Sequence, residues 1–128
     1  MRRGALAGLA LLAAAAAVPA SGAEWRLLLV DGMAAPEEAR IEFGPDGRIV
    51  AHAGCNRLAA TGRMEGGALL IETPPAATRM ACPPEAAALD DALTVLLAGR
   101  VTLAADPFAG TVTLAANGFE AVLAPLAP

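Results

Sequence analysis

The side chains with reactive potential cluster in two short segments. Gly54-Cys55-Asn56-Arg57 follows His52, and Thr78-Arg79-Met80-Ala81-Cys82 lies further along; together they hold both cysteines of the chain. His52 and Cys55 suggest a thiol–imidazole nucleophile. In an extended strand, positions 52 and 55 point to opposite faces unless Gly54 turns one around, and such a nucleophile needs a third, orienting group. His52, Cys55 and Cys82 could also ligate a metal, but they lack the CxxC spacing of a built site. The single serine, Ser21, lies near the N-terminus, and no glycine-rich phosphate cradle is present. The reading therefore assigns no catalytic residue, no metal site and no cofactor. The segments read as structural: Gly54 for close backbone approach or positive φ, and Asn56 for a sharp turn tied to nearby backbone. Arg57 pairs with a carboxylate or lies on the surface. Thr78 bonds neighbouring backbone, and Met80 fills core.

The redox state of those cysteines follows from the start of the chain. Met1-Arg2-Arg3 is a positive n-region, Ala5 to Val18 an apolar run, and Ser21 and Ala23 are small residues at cleavage-like positions. Residues 1–23 are expected to be an export signal and residues 24–128 the mature domain. The run is short of the roughly 20 apolar residues of a spanning helix, so no stable membrane insertion is expected after cleavage. No cysteine lies near the cleavage site to carry a lipid. The expected location is the periplasm, where paired cysteines are favoured. A Cys55–Cys82 disulfide is expected to contribute roughly 3–4 kcal/mol by loop closure; two buried free thiols are the alternative.

Cleavage removes two of nine basic residues and none of thirteen acids, leaving seven against thirteen and a net charge of −6. An acidic chain without lysine argues against nucleic acid and anionic lipid as partners. Trp25, Phe43, Phe108 and Phe119 are the aromatics available to anchor a core.

The elements that must position the two segments are mostly strands. Glu24 to Val30 is a short apolar run closed by Asp31-Gly32. Ile41 and Phe43 alternate with Arg40 and Glu42, the Gly44-Pro45-Asp46-Gly47 turn follows, and a strand resumes over 48–53. Residues 57–64 are ambiguous. Ala68 to Ile71 is a strand ended by Thr73-Pro74-Pro75, and Ala77 to Ala81 is a short edge strand carrying Cys82. Pro83-Pro84 and Glu85 open a helix that buries Leu89, Leu93 and Leu96 or Leu97, turns Asp90 and Asp91 outward, and ends at Gly99. Val101 to Leu103 is a strand. Asn117-Gly118 joins two alternating runs in a hairpin. The fold class predicted is mainly β (α+β): a small antiparallel β-barrel-like sheet with one covering helix.

The ordered set of motifs resembles the META domain, the HslJ-like family. The resemblance covers nearly all of residues 24–128. It rests on Trp25-x-Leu27, Ile41-x-Phe43, Asp46-Gly47-Arg48, Gly54-Cys55-Asn56-Arg57, Gly66-Gly67-x-Leu69, Thr78-x-Met80-Ala81-Cys82-Pro83 and the Asn117-Gly118 hairpin. It implies a barrel-like domain with a helix, a link to the bacterial envelope, heat shock and novobiocin resistance, and no established enzymatic activity. One departure stands out: where the family usually places an aromatic after Cys-Asn-Arg, this chain has Gly62.

The function expected is a non-enzymatic envelope binding module in stress or antibiotic tolerance, monomeric, with an envelope protein or small molecule as partner. Two alternatives are an inhibitor of a cell-wall hydrolase, since an acidic protein suits a basic lysozyme-like enzyme, and a small-ligand carrier using the barrel mouth. Thiol titration of the unreduced, denatured mature protein is expected to find no reactive thiol; two would remove the disulfide.

Overall fold

A computed structural model describes residues 23–126; the expected export signal lies outside the described residues except for Ala23. The strands are β1 (Ala23–Val30), β2 (Met33–Ala34), β3 (Arg40–Phe43), β4 (Arg48–His52), β5 (Arg57–Glu65), β6 (Ala68–Ala77), β7 (Arg100–Asp106), β8 (Thr111–Ala116) and β9 (Phe119–Pro125). One helix, α1 (Pro84–Leu96), lies between β6 and β7. Antiparallel pairing runs from β1 through β3, β4, β5, β6, β7 and β8 to β9, and β9 pairs back with β1. The sheet is thus a closed barrel of eight strands. β2 is a two-residue spur on β1.

Alternation fixes which side of each strand faces inward. In β3 the buried residues are Ile41 and Phe43, and in β4 they are Ile49 and Ala51. The interior is packed by Leu27, Ile41, Leu58, Leu114 and Leu123 together with Leu93 and Leu96 of α1, all in one cluster. Small side chains such as Ala51, Ala53, Ala60 and Ala121 are fully or almost fully buried, so the alanine content lets the strands close tightly.

The helix is held by side-chain hydrogen bonds at its C-terminal end. Pro84 and Glu85 occupy its first turn, and no side chain caps it there. At the other end Asn117 of the β8–β9 turn donates from Nδ2 to Val95 O (2.9 Å) and Ala98 O (3.1 Å). Val95 O belongs to the last helical turn, whose carbonyls lack helical partners, and Ala98 O lies just past the end of the helix. Asn117 and Gly118 both have positive φ, as a two-residue hairpin turn requires. The hairpin therefore joins two strands and also terminates the helix.

Local details differ from the sequence reading. Residues 33–38 include β2. The ambiguous stretch 57–64 is strand β5. β6 does not stop at Thr73-Pro74-Pro75 but continues to Ala77, while residues 78–82 form no strand. Proline is tolerated there because β6 pairs with β7 only over Ala68–Leu70 and its register with β5 shifts around Ala59–Gly62, so part of its ladder is free. Phe108 anchors no core: it stands fully exposed on the β7–β8 turn, where Asp106 Oδ1 accepts the backbone N–H groups of Phe108 and Ala109. Trp25 and Phe43 are buried, and Phe119 packs against the core from a half-buried position.

Leu114→Ala is expected to lower unfolding free energy by about 2–5 kcal/mol in urea titrations, and Phe108→Ala by less than about 0.5 kcal/mol.

Candidate functional site

β4 ends at His52 and β5 begins at Arg57, and the corner between them lies against α1. Gly54 makes that approach available. A Cβ there would stand 2.9 Å from Ala86 Cα and closer still to the Ala86 carbonyl oxygen. The need is for space; Gly54 is not among the positive-φ glycines.

Opposite the corner is Asp90, the buried charged residue of the described chain, with 5% exposure. Its Oδ1 accepts the backbone N–H groups of Gly54 (3.1 Å) and Cys55 (3.3 Å). Its Oδ2 accepts the backbone N–H of Asn56 (2.8 Å) and Asn56 Nδ2 (3.3 Å). Four donors converge on one carboxylate. Charge-assisted bonds of this kind offset the cost of burying the group without a cation. The expectation that Asp90 faces outward is therefore overturned. Asp90 sits on the same helical stripe as Leu93 and Leu97 at three- and four-residue spacing, which was the available signal.

Asn56 carries the corner to the second segment. Its Oδ1 accepts Met80 N–H (2.8 Å) and Thr78 Oγ1–H (3.0 Å). Thr78 Oγ1 accepts Arg57 N–H (3.0 Å), and Thr78 N–H donates to Arg57 O (3.1 Å). Neither Asn56 nor Thr78 bonds the neighbouring backbone expected of it; both bridge across more than twenty residues. Met80 is 57% exposed and fills no core, because its backbone is pinned by Asn56 while its side chain projects outward. Arg57 lies exposed on the surface, and the ion pairs among the described residues are made by Arg48 and Arg63 instead.

Cys55 and Cys82 are bonded to each other, with Cα atoms 6.0 Å apart. Ligand atoms of Cys55, Cys82 and Asp90 lie within 4.8 Å of one another. As bonded sulfurs they offer no thiolate, and the Asp90 oxygens are already saturated by N–H donors, so the donor set does not suit a metal. His52 is exposed on the outer wall of the barrel. Thus Gly54, Cys55, Asn56, Arg57, Thr78 and Cys82 converge as the two segments suggested, Asp90 is the centre that sequence reasoning missed, and His52 stands apart.

A second feature is a depression of about 350 Å³ beside the Gly44–Gly47 turn. Phe43, Ile49 and Leu69 line it below, and Asp46, Arg48 and Arg63 stand around it. The backbone N–H of Arg48 holds the Asp46 carboxyl below the usual carboxylate range, and the hydrogen bond that Arg63 donates to Glu72 shifts the guanidinium pKa upward. Gly62 also lines it, and a Cβ at Gly62 would stand 2.7 Å from Leu70 O.

The model of the META domain family matches residues 18–124. The chain belongs to the META domain family. Among solved structures it is similar to a protein determined by NMR, with TM-score 0.68 and 24% identity, covering 82% of this chain and 90% of that one. It is also similar to an NMR structure of a protein from Burkholderia xenovorans, with TM-score 0.63 and 20% identity, covering 84% of each chain. Both likenesses concern the fold. No curated protein matches the chain. Within this META domain the glycine at position 62 has a local cause: β5 and β6 approach too closely there for any side chain.

Asp90→Asn is expected to cost about 3 kcal/mol or more in urea titrations, because the amide meets backbone N–H groups with a donor of its own and leaves buried donors unsatisfied. Reduction of the disulfide is expected to cost roughly 3–4 kcal/mol of loop-closure stabilisation in the same assay.

Proposed function

We propose that this META domain protein is an exported, non-enzymatic binding module of the bacterial envelope that supports stress or novobiocin tolerance. One observation carries the non-enzymatic part. The polar cluster of the molecule is consumed by its own architecture: the sulfurs are bonded to each other, and Asp90 is saturated by four N–H donors. A nucleophile or general base needs a free lone pair facing a substrate, and this cluster has none to give. Export and periplasmic residence rest on the leader-like residues 1–23, and the disulfide suits that compartment. Among the described residues no helix is long and apolar enough to cross a membrane. The link to stress and novobiocin rests on membership of the family.

The packed interior weighs against a small-ligand carrier. An inhibitor of a cell-wall hydrolase is the second reading. It is favoured by Glu37 and Glu38, both exposed on the loop between β2 and β3, where they could meet a basic enzyme.

Deletion of the gene is expected to lower the novobiocin concentration that stops growth, most clearly after heat stress. The full-length gene should restore tolerance, and a version lacking residues 1–23 should not. Unchanged tolerance would remove this reading. For the second reading, the oxidised protein should inhibit a basic lysozyme in a cell-wall turbidity assay, and Glu37→Gln with Glu38→Gln should weaken that inhibition.

A further inference from the structure

The outer wall of the barrel carries a charge pattern that the fold does not require. Arg26 of β1 lies directly opposite Arg40 of β3, Arg40 opposite His52 of β4, and His52 opposite Arg57 of β5. Each alternates with buried neighbours along its strand, so all four face outward. The result is a row of three arginines and the chain's single histidine across four adjacent strands, in a protein of net charge −4. At the usual strand spacing the row spans about 14 Å. Two residues along the strands, Glu24 lies opposite Glu42, and Glu42 opposite Val50.

Like charges directly opposite on neighbouring strands destabilise a sheet. Here the β1–β3 pair carries two such oppositions, Arg26 with Arg40 and Glu24 with Glu42, where exchanging two residues would have made both attractive. Among the described residues the ion pairs are Arg48–Asp46, Arg63–Glu65 and Arg63–Glu72, so none of the four residues of the row is engaged in an ion pair. Arg40 donates to the carbonyl oxygens of Glu37 and Ala39, which fix its guanidinium without cancelling its charge. The Nε of Arg26 is buried with no hydrogen-bond partner. A depression of about 280 Å³ lies over Arg40, His52 and Arg57 of the row and is lined also by Glu24, Glu42, Val50 and Ala51.

We propose that this wall is a docking strip for an extended acidic peptide segment of a partner protein, laid across β1, β3, β4 and β5. Its carboxylates meet the guanidinium forks of Arg26, Arg40 and Arg57, whose planar geometry suits bidentate pairing. The carboxylates of Glu24 and Glu42 accept N–H groups of the same segment, and Val50 gives an apolar contact beyond Glu42 on β4. The acidic row selects against dense polyanions, whose charges would fall on Glu24 and Glu42 as well as on the arginines. Spaced carboxylates alternating with hydrogen-bond donors fit both rows.

The inference deepens the reading of the protein as a binding module, and its test is independent of the tolerance phenotype. A fluorescein-labelled peptide of alternating glutamate and alanine is titrated into purified, oxidised mature protein at low salt, and anisotropy is read. Binding should weaken as salt is raised. It should also weaken about fivefold in Arg57→Gln, the size of one exposed charge pair, and further in Arg40→Gln with Arg57→Gln. Thermal melts establish that the variants are folded, and Arg57→Gln alone leaves the Arg40 carbonyl contacts intact. Absence of binding, or equal binding by wild type and Arg57→Gln, would overturn the proposal. So would polyphosphate competing more strongly than unlabelled peptide, which would point to a dense polyanion. A normal novobiocin response would leave peptide binding standing, and failed binding would leave the tolerance reading standing.

Discussion

The Asp90 carboxylate on α1 is the constraint around which the molecule is arranged. It gathers the backbone N–H groups of Gly54, Cys55 and Asn56, which the β4–β5 corner would otherwise bury without partners. A corner cannot supply its own ladder bonds, and each buried unpaired donor is costly. Asp90 thereby orients α1 against the sheet, and Gly54 lets the two backbones come close enough for it to do so. Asn56 extends the same network to Thr78 and Met80, and that places Cys82 beside Cys55. The order of dependence runs from carboxylate to corner to disulfide.

That order changes the meaning of the cysteine motif. The sequence Gly-Cys-Asn-Arg invites a reading as a reactive site, since it sets a thiol beside polar side chains. In the structure each member is occupied: the glycine by close approach, the thiol by its bond, the asparagine by bonds to the second segment. Arg57 alone points outward, and it belongs to the charged row on the barrel wall. The motif thus has a braced inner side and a solvent-facing outer side.

Much of the barrel was legible because strand alternation and turn chemistry are local. Ile41 and Phe43 against Arg40 and Glu42, and Asn117-Gly118 between two alternating runs, declare their own faces. What stayed hidden was non-local. Closure of β9 onto β1 joins the two ends of the domain, and no residue pattern states it. Pro74-Pro75 looked like a terminator because proline usually ends a ladder, yet that half of β6 has no β7 neighbour to satisfy. Asp90 beside Asp91 looked like a solvated pair; only the corner delivered by β4 shows why one of them is buried. The row of Arg26, Arg40, His52 and Arg57 exists only once register aligns four strands.

Amide hydrogen exchange at Gly54, Cys55 and Asn56 tests the central claim most directly, because it reads the three donors that Asp90 is said to hold. With the carboxylate in place these amides should exchange only when the whole domain unfolds, as slowly as the core amides of β4 and β5. Exchange at the rate of an open loop, with the barrel otherwise protected, would contradict the account.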